Sequence, residues 1–266
     1  MKTDMRKYFT FLGLTLILSV PFYILGAVLP VSGLPFELPI SFLMIFVPFI
    51  LSLIYAWRIN GKHGILAIFE GIFDAKKTKI WIVSICAACM PITLLLTYFF
   101  MKFAALPIPL DYVLPYWDIP MMIVLYFLGA IPEEFGWTYT LTGPFSEKYG
   151  PEKAGVIIGG VWAIWHIIPW SWAHSGSWIL GMVFLNILMR IIMVYFYIYG
   201  GRSLFLSIIF HTTINVSFGL FPVNGSYVNT WIVCAWMALI GFSIKFIMTR
   251  HQISKSKFGN LTSKST

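Results

Sequence analysis

Five side chains carry most of this chain's capacity for chemistry: the adjacent pair Glu133 and Glu134, the histidines His166 and His211, and Asn215. All five fall inside long apolar runs. Of the ten acidic residues, the other eight lie in connections, termini or the flanks of those runs. A charged side chain near the middle of a bilayer costs roughly 2.5 to 3.5 kcal/mol, so groups placed there usually line an interior site. Two neighbouring carboxylates in a low-dielectric layer repel each other, and one of them is expected to exchange protons near neutral pH, as a general base does. A carboxylate base, an imidazole and an amide donor together supply proton removal and charge stabilisation without a covalent intermediate. Two histidines and a carboxylate, here His166, His211 and Glu133, also form a recognised zinc ligand set with a position open for water. No His-Glu-x-x-His helix favours that divalent-metal reading, and the spacing leaves both open.

The elements that must position these groups follow from composition. Of 266 residues, 59% are hydrophobic and 11% charged, and mean hydropathy is +0.85. Such a chain needs lipid as its solvent. Continuous apolar runs of about 20 residues predict helices, whereas the strands of a membrane barrel would alternate. The expected fold is all-α and polytopic, with eight transmembrane spans: Phe9 to Leu29, Pro39 to Trp57, Ile80 to Met101, Ile119 to Thr142, Ala154 to Trp170, Trp178 to Tyr199, Ser203 to Leu220 and Thr230 to Thr249. They form one domain over residues 9–250, between a short N-terminal segment (1–8) and a polar tail (251–266) expected to lack order.

Basic residues set the orientation, because cytoplasmic connections are rich in Lys and Arg. Lys2, Arg6 and Lys7 precede the first span. Arg58, Lys62, Lys76, Lys77 and Lys79 follow the second, Lys148 and Lys153 the fourth, and Arg202 the sixth, while Lys245, Arg250, Lys255, Lys257 and Lys264 close the chain. The alternate connections, 30–38, 102–118, 171–177 and 221–229, hold only Lys102. Both termini are therefore expected in the cytoplasm, which agrees with an even number of spans. The net charge of +8 is accounted for by this topology and the anionic inner leaflet, and it gives no reason to expect a nucleic-acid partner. Cys86, Cys89 and Cys234 all fall in spans and read as core residues rather than disulfide partners. The apolar stretch Ile65 to Phe73 reads either as a helix on the inner membrane surface or as a buried loop.

Counted at ~1.5 Å per residue from the inner boundary, Glu133 and Glu134 lie ~12 to 14 Å deep, His211 ~12 Å, and His166 and Asn215 ~18 Å. Three helices thus bring their polar side chains to one layer, and His211 and Asn215, four apart, share a helix face. Pro132, just before the pair, removes a backbone donor. Gly155 and Gly159 form a small-xxx-small pattern that lets helices pack closely. Trp162 and Trp165 read as packing, Trp137, Tyr139, Trp170, Trp172 and Trp178 as interface anchors, and His63, His174 and His251 as solvated. Arg190, inside the sixth span at ~12 Å, either snorkels to the headgroups or joins the Glu pair.

These residues resemble the CPBP intramembrane proteases, the CAAX prenyl protease and bacteriocin-processing (Abi) family, whose pattern is three motifs on separate helices. Glu-Glu-x-x-x-Arg is matched by Glu133 and Glu134 but ends at Thr138. An aromatic four residues before a His is matched by Trp162 and His166, and His-x-x-x-Asn by His211 and Asn215. The resemblance covers a core of about 119–220. It implies an endopeptidase acting on a membrane-embedded or lipidated peptide, in which Glu133 activates water with help from His166 while His211 and Asn215 bind the oxyanion or a divalent ion. Arg190 is the candidate counter-charge where Thr138 replaces the family's Arg. A compact, basic chain of this kind suits the plasma membrane of a bacterium, with bacteriocin processing or self-immunity as the expected setting. A catalytically impaired scaffold or immunity protein and a proton-coupled transporter are the competing functions.

Overall fold

Continuous apolar runs become helices because lipid cannot satisfy free backbone groups, so each segment must pair its own amides. The computed structural model describes residues 4–29, 40–75, 78–109 and 111–262, and no strand occurs among them. The expected loop 30–38, Pro39, and Lys2, Lys76, Lys77 and Lys264 lie outside the described residues. The helices are α1 (Arg6–Val28), α2 (Phe46–Gly71, entered through a 3-10 turn at Ile40–Ile45), α3 (Ile80–Phe103), α4 (Ile119–Glu134), α5 (Thr142–Tyr149), α6 (Pro151–Ser171), α7 (Gly176–Tyr199), α8 (Leu204–Gly219) and α9 (Thr230–Thr262). Among the described residues, seven are long and apolar enough to cross a membrane, the run Ile119–Tyr149 counting as one. The protein is thus a multi-span membrane protein.

The seventh expected span, α8, has 16 residues and reaches only ~24 Å. It is buried in the bundle: α3, α4 and α7 pack around it, and Leu206, Ile208 and Phe210 are fully covered. That centrality places His211 and Asn215 inside the protein. The fourth span also departs from a plain helix. Three residues after Pro132 the backbone widens into a π-helical turn, Phe135–Thr140, of the kind that occurs inside helices at functional sites. Hydroxyls satisfy the carbonyls loosened by this turn: Phe135 O accepts from Ser52 and Thr140, and Trp137 O accepts from Thr142 at 3.0 Å. α2 contacts the turn at close range, since a Cβ on Gly136 would lie 2.6 Å from the Pro48 side chain.

Within α2 the chain breaks at Asn60 and Gly61, where Gly61 takes φ 56°, a left-handed conformation that glycine adopts without a Cβ penalty. The segment beyond it is helical and folds back so that Ile68 is fully buried with Ala130, Phe135 and Ile208. Of the two readings of Ile65 to Phe73, the backbone is helical to Gly71 and not a loop, with one face inserted against α4 and α8. α9 remains helical past Arg250 to Thr262, where a tail without order was expected.

Helices α6 and α7 pack closely along a shared face. A Cβ at Gly155 would lie 2.6 Å from Ile191 Cα, and one at Gly159 would lie 2.9 Å from both Ile187 Cα and Arg190 Cβ. Gly159 therefore sets how near the Arg190 backbone comes to α6. Gly159→Val is expected to push the two helices apart and lower the thermal unfolding midpoint in detergent by several degrees, whereas Gly160→Val, at a position with open space around it, leaves the midpoint within about a degree.

The ends of the helices sort into two faces. At one, Arg202 pairs with Glu147 at 2.8 Å and Lys245 with Glu152 at 2.8 Å, and Thr78 donates to Gly200 O. At the other, Tyr112 donates to Leu220 O and the Trp231 indole to Ser177 at 3.3 Å. The Arg202 pKa is raised by its bond to Glu147, so its guanidinium stays charged over the physiological range.

Candidate active site

The last turn of α4 presents its two carboxylates to different partners. Glu134 is fully buried and receives a fork from Arg190, Nη1 to Oε2 at 2.9 Å and Nη2 to Oε1 at 3.2 Å. Thr138 Oγ1 donates to the same Oε2, and Arg190 Nη1 reaches Thr138 Oγ1 at 3.4 Å. His211 Nδ1 lies 2.9 Å from Glu134 Oε1. Four contacts thus fix this carboxylate, and its charge is neutralised by a guanidinium that is itself fully buried. Such a bidentate pair is strong and directional.

Glu133 is held more lightly. The Trp162 indole donates to its Oε2 at 2.9 Å, and its Oε1 lies 3.9 Å from His211 Nε2. Here Trp162 does more than fill space. Its ring lies under the Arg190 guanidinium, 4.4 Å from ring centroid to Cζ, and edge-on to both His166 and His211, each with centroids 5.4 Å away. One tryptophan therefore touches the cation, the free carboxylate and both imidazoles. His166 Nδ1 sits 2.8 Å from the Trp162 carbonyl. A carbonyl can only accept, so Nδ1 carries the proton and Nε2 keeps its lone pair.

A cavity of about 360 Å³ opens over this layer, with Glu133, Trp162, His166, His211 and Asn215 in its wall. Glu134, Thr138 and Arg190 are beneath it and absent from the lining. All the sequence-predicted site residues are therefore brought together, with Glu133 facing the cavity and Glu134 in the supporting layer under it. Arg190 enters the site instead of snorkelling. Two further residues were missed. Asn186, buried in α7 and lining the cavity, precedes Arg190 by four residues, a spacing that marks a shared helix face. His174, expected to be solvated, lies at the cavity mouth stacked on Trp178 with ring centroids 3.5 Å apart; burial lowers its pKa.

The expected interface anchors divide as well. Trp137 is fully buried against Trp165, centroids 5.6 Å apart. A tryptophan inside a crowded π turn packs as core, whatever its preference for interfaces in general. Trp170 and Trp178 line the cavity, whereas Trp172 is exposed. Trp165 ties α6 to α1, donating to Ser19 at 2.7 Å while its carbonyl accepts from Tyr23. Cys86 and Cys89 are buried free thiols in the core, and Cys234 is a free thiol partly covered.

Among the described residues, no three His, Cys, Asp or Glu side chains converge closely enough to hold a metal ion. His166 Nδ1 is held by a carbonyl, His211 Nδ1 by Glu134, and Glu133 Oε2 by an indole. These bonds orient both imidazoles and leave their Nε2 atoms and Glu133 Oε1 as the atoms that a water, a substrate or an ion would meet. Residues 115–217 match the family described as Type II CAAX prenyl endopeptidase Rce1-like. The match takes in α4 through α8, which carry the whole constellation. No curated protein matches the chain.

Proposed function

Taking as premise that residues 115–217 form a CPBP-family domain, we propose that the protein is an intramembrane endopeptidase in which Glu133 activates the attacking water. The observation that carries this reading is the division of labour in the Glu pair. Glu134 spends its charge on Arg190, Thr138 and His211, while Glu133 keeps one oxygen free of strong donors and faces the cavity. A base must be within reach of the proton it takes, and among the described lining residues Glu133 is the carboxylate so placed.

In this mechanism a water in the cavity gives one proton to Glu133 while its oxygen attacks the scissile carbonyl carbon. The lone pair on His166 Nε2 accepts the water's second hydrogen bond and orients it. Bearing a proton on each nitrogen, His211 directs Nε2–H at the oxyanion beside the Asn215 amide. Glu133 then passes its proton to the departing nitrogen as the C–N bond breaks, leaving a carboxylic acid and an amine. The substrate class is a membrane-associated or lipidated peptide, and the setting we infer is a bacterial plasma membrane, in bacteriocin processing or self-immunity.

Thr138, in place of the family's Arg, is the feature that favours a scaffold without catalysis. The Arg190 fork supplies from α7 the counter-charge that the family places on α4, and this favours a working site. The test is cleavage of a library of membrane-spanning and lipidated peptides by the purified protein in lipid, with His166→Ala, His211→Ala and a chelator run in parallel. Both substitutions are expected to remove cleavage and the chelator to leave it intact. A folded protein that cleaves nothing across the library would return the reading to a binding or immunity function.

A further inference from the structure

The cavity over Glu133 extends in one direction only. On α6 and α8 its lining runs C-terminally, from Trp162 to Trp170 and from His211 onward. On α4 and α7, which run the opposite way, it extends N-terminally from Glu133 and from Met189. All four helices therefore place the open space on the same side of the reaction layer. The mouth is formed by the connections that carry His174 and Asn224. Beneath the layer, the fully buried Arg190–Glu134 pair and the π-helical turn, buried along its length except at Tyr139, close the other side.

The two ends of the bundle differ in charge. The connections at the mouth, 172–175 and 220–229, contain no Lys or Arg. The opposite end carries Arg58, Lys79, Lys148, Lys153, Arg202 and Lys245, the excess that marks a cytoplasmic face. The wall has its own character: Trp162, Trp170, Trp178 and Phe218 are aromatic, Glu133 is its acid, and no Lys or Arg lines it among the described residues. A terminal carboxylate entering here would meet Glu133 and no Lys or Arg, and the cationic His211 in the wall is already tied to Glu134 and committed to the oxyanion, so an internal apolar stretch of peptide fits better.

We propose that this site is loaded from the outer face of the membrane, and that its substrate is an internal apolar segment of an exported peptide rather than a chain end presented from the cytoplasm. The proposal rests on the peptidase reading for what happens after binding, but its direction of access does not. It is tested in intact cells on a background of Cys86→Ala, Cys89→Ala and Cys234→Ala, with single cysteines introduced as Ala173→Cys at the mouth, Met182→Cys inside the cavity or Lys148→Cys at the opposite end. A small membrane-impermeant thiol reagent is expected to label the first two at least about tenfold faster than the third, which reacts only after permeabilisation. Labelling of Lys148→Cys from outside, or of Met182→Cys only from inside, would overturn outer loading. An end-blocked apolar peptide added outside is expected to slow labelling of Met182→Cys severalfold, and an acidic peptide of equal length to leave it unchanged. Equal protection by both, or by neither, would overturn the substrate class. Labelling needs no hydrolysis, so a failed peptidase and a wrongly assigned face give different results.

Discussion

Replacing Glu133 with Gln is expected to lower peptide hydrolysis by about 10²- to 10⁴-fold, the range for loss of a positioned general base, while leaving the thermal unfolding midpoint nearly unchanged. The substitution keeps the shape of the side chain and an oxygen able to accept from the Trp162 indole. It removes only the ability to take a proton. The loss should fall on kcat, because the base acts in the transition state and the aromatic wall that binds substrate is untouched. Steady-state kinetics in liposomes, with peptide titrated at each point, separate the two parameters. A variant that kept its kcat, or lost only affinity, would transfer the base role elsewhere in the cavity, with His166 Nε2 as the next acceptor in its wall. Trp162→Phe offers a milder companion. It retains the ring under Arg190 but deletes the donor to Glu133, so it should reduce kcat without abolishing it.

How far the sequence foretold this site depends on what kind of signal each part leaves. Helices written as continuous apolar runs were legible to within a few residues, because lipid forces the whole run into one hydrogen-bonded element. Gly155 and Gly159 were legible as a contact for a related reason: a missing side chain every fourth residue is a groove, and α7 fills it. The polar layer could be read from depth alone, since Glu133, His166 and His211 are costly wherever they do not meet partners. Other features leave no such mark. The π turn at Phe135–Thr140 inserts the equivalent of one residue into a helix, too small a change for periodicity to register, although Pro132 just upstream hints at a disturbed backbone. The fold-back at Gly61 depends on a single left-handed residue and on a hydrophobic seat for Ile68 built by three other elements. Indole rings were the least legible. Trp137, Trp162 and Trp172 are the same residue at similar hydropathy, yet one is core, one a hydrogen-bond donor to the base and one exposed, and only the surroundings decide among them.

The second large effect concerns the pair beneath the cavity. Arg190→Met is expected to destabilise the protein by about 3 to 5 kcal/mol, the cost of breaking a buried ion pair and leaving one charge uncompensated. Glu134 would then face His211 with its main counter-charge gone, and both residues sit where water cannot replace the fork. Arg190→Lys should recover only part of the loss, since a single ammonium cannot reproduce the two contacts at 2.9 and 3.2 Å or lie flat over the Trp162 ring. The informative protein is the double variant Arg190→Met with Glu134→Gln. Removing both charges removes the desolvation cost along with the attraction, so the double variant should be more stable than Arg190→Met alone, and a double-mutant cycle on unfolding free energies should return strong coupling. Activity should not return with stability. His211 relies on Glu134 to fix its Nδ1 proton and aim its Nε2 at the cavity, and a neutral amide holds an imidazole less firmly than a carboxylate does. A double variant that is folded but slow would make Glu134 a positioning residue acting through His211. A double variant that recovered both stability and rate would make the buried pair a packing device alone, and would shift the orientation of His211 to its contacts with Glu133 and Trp162.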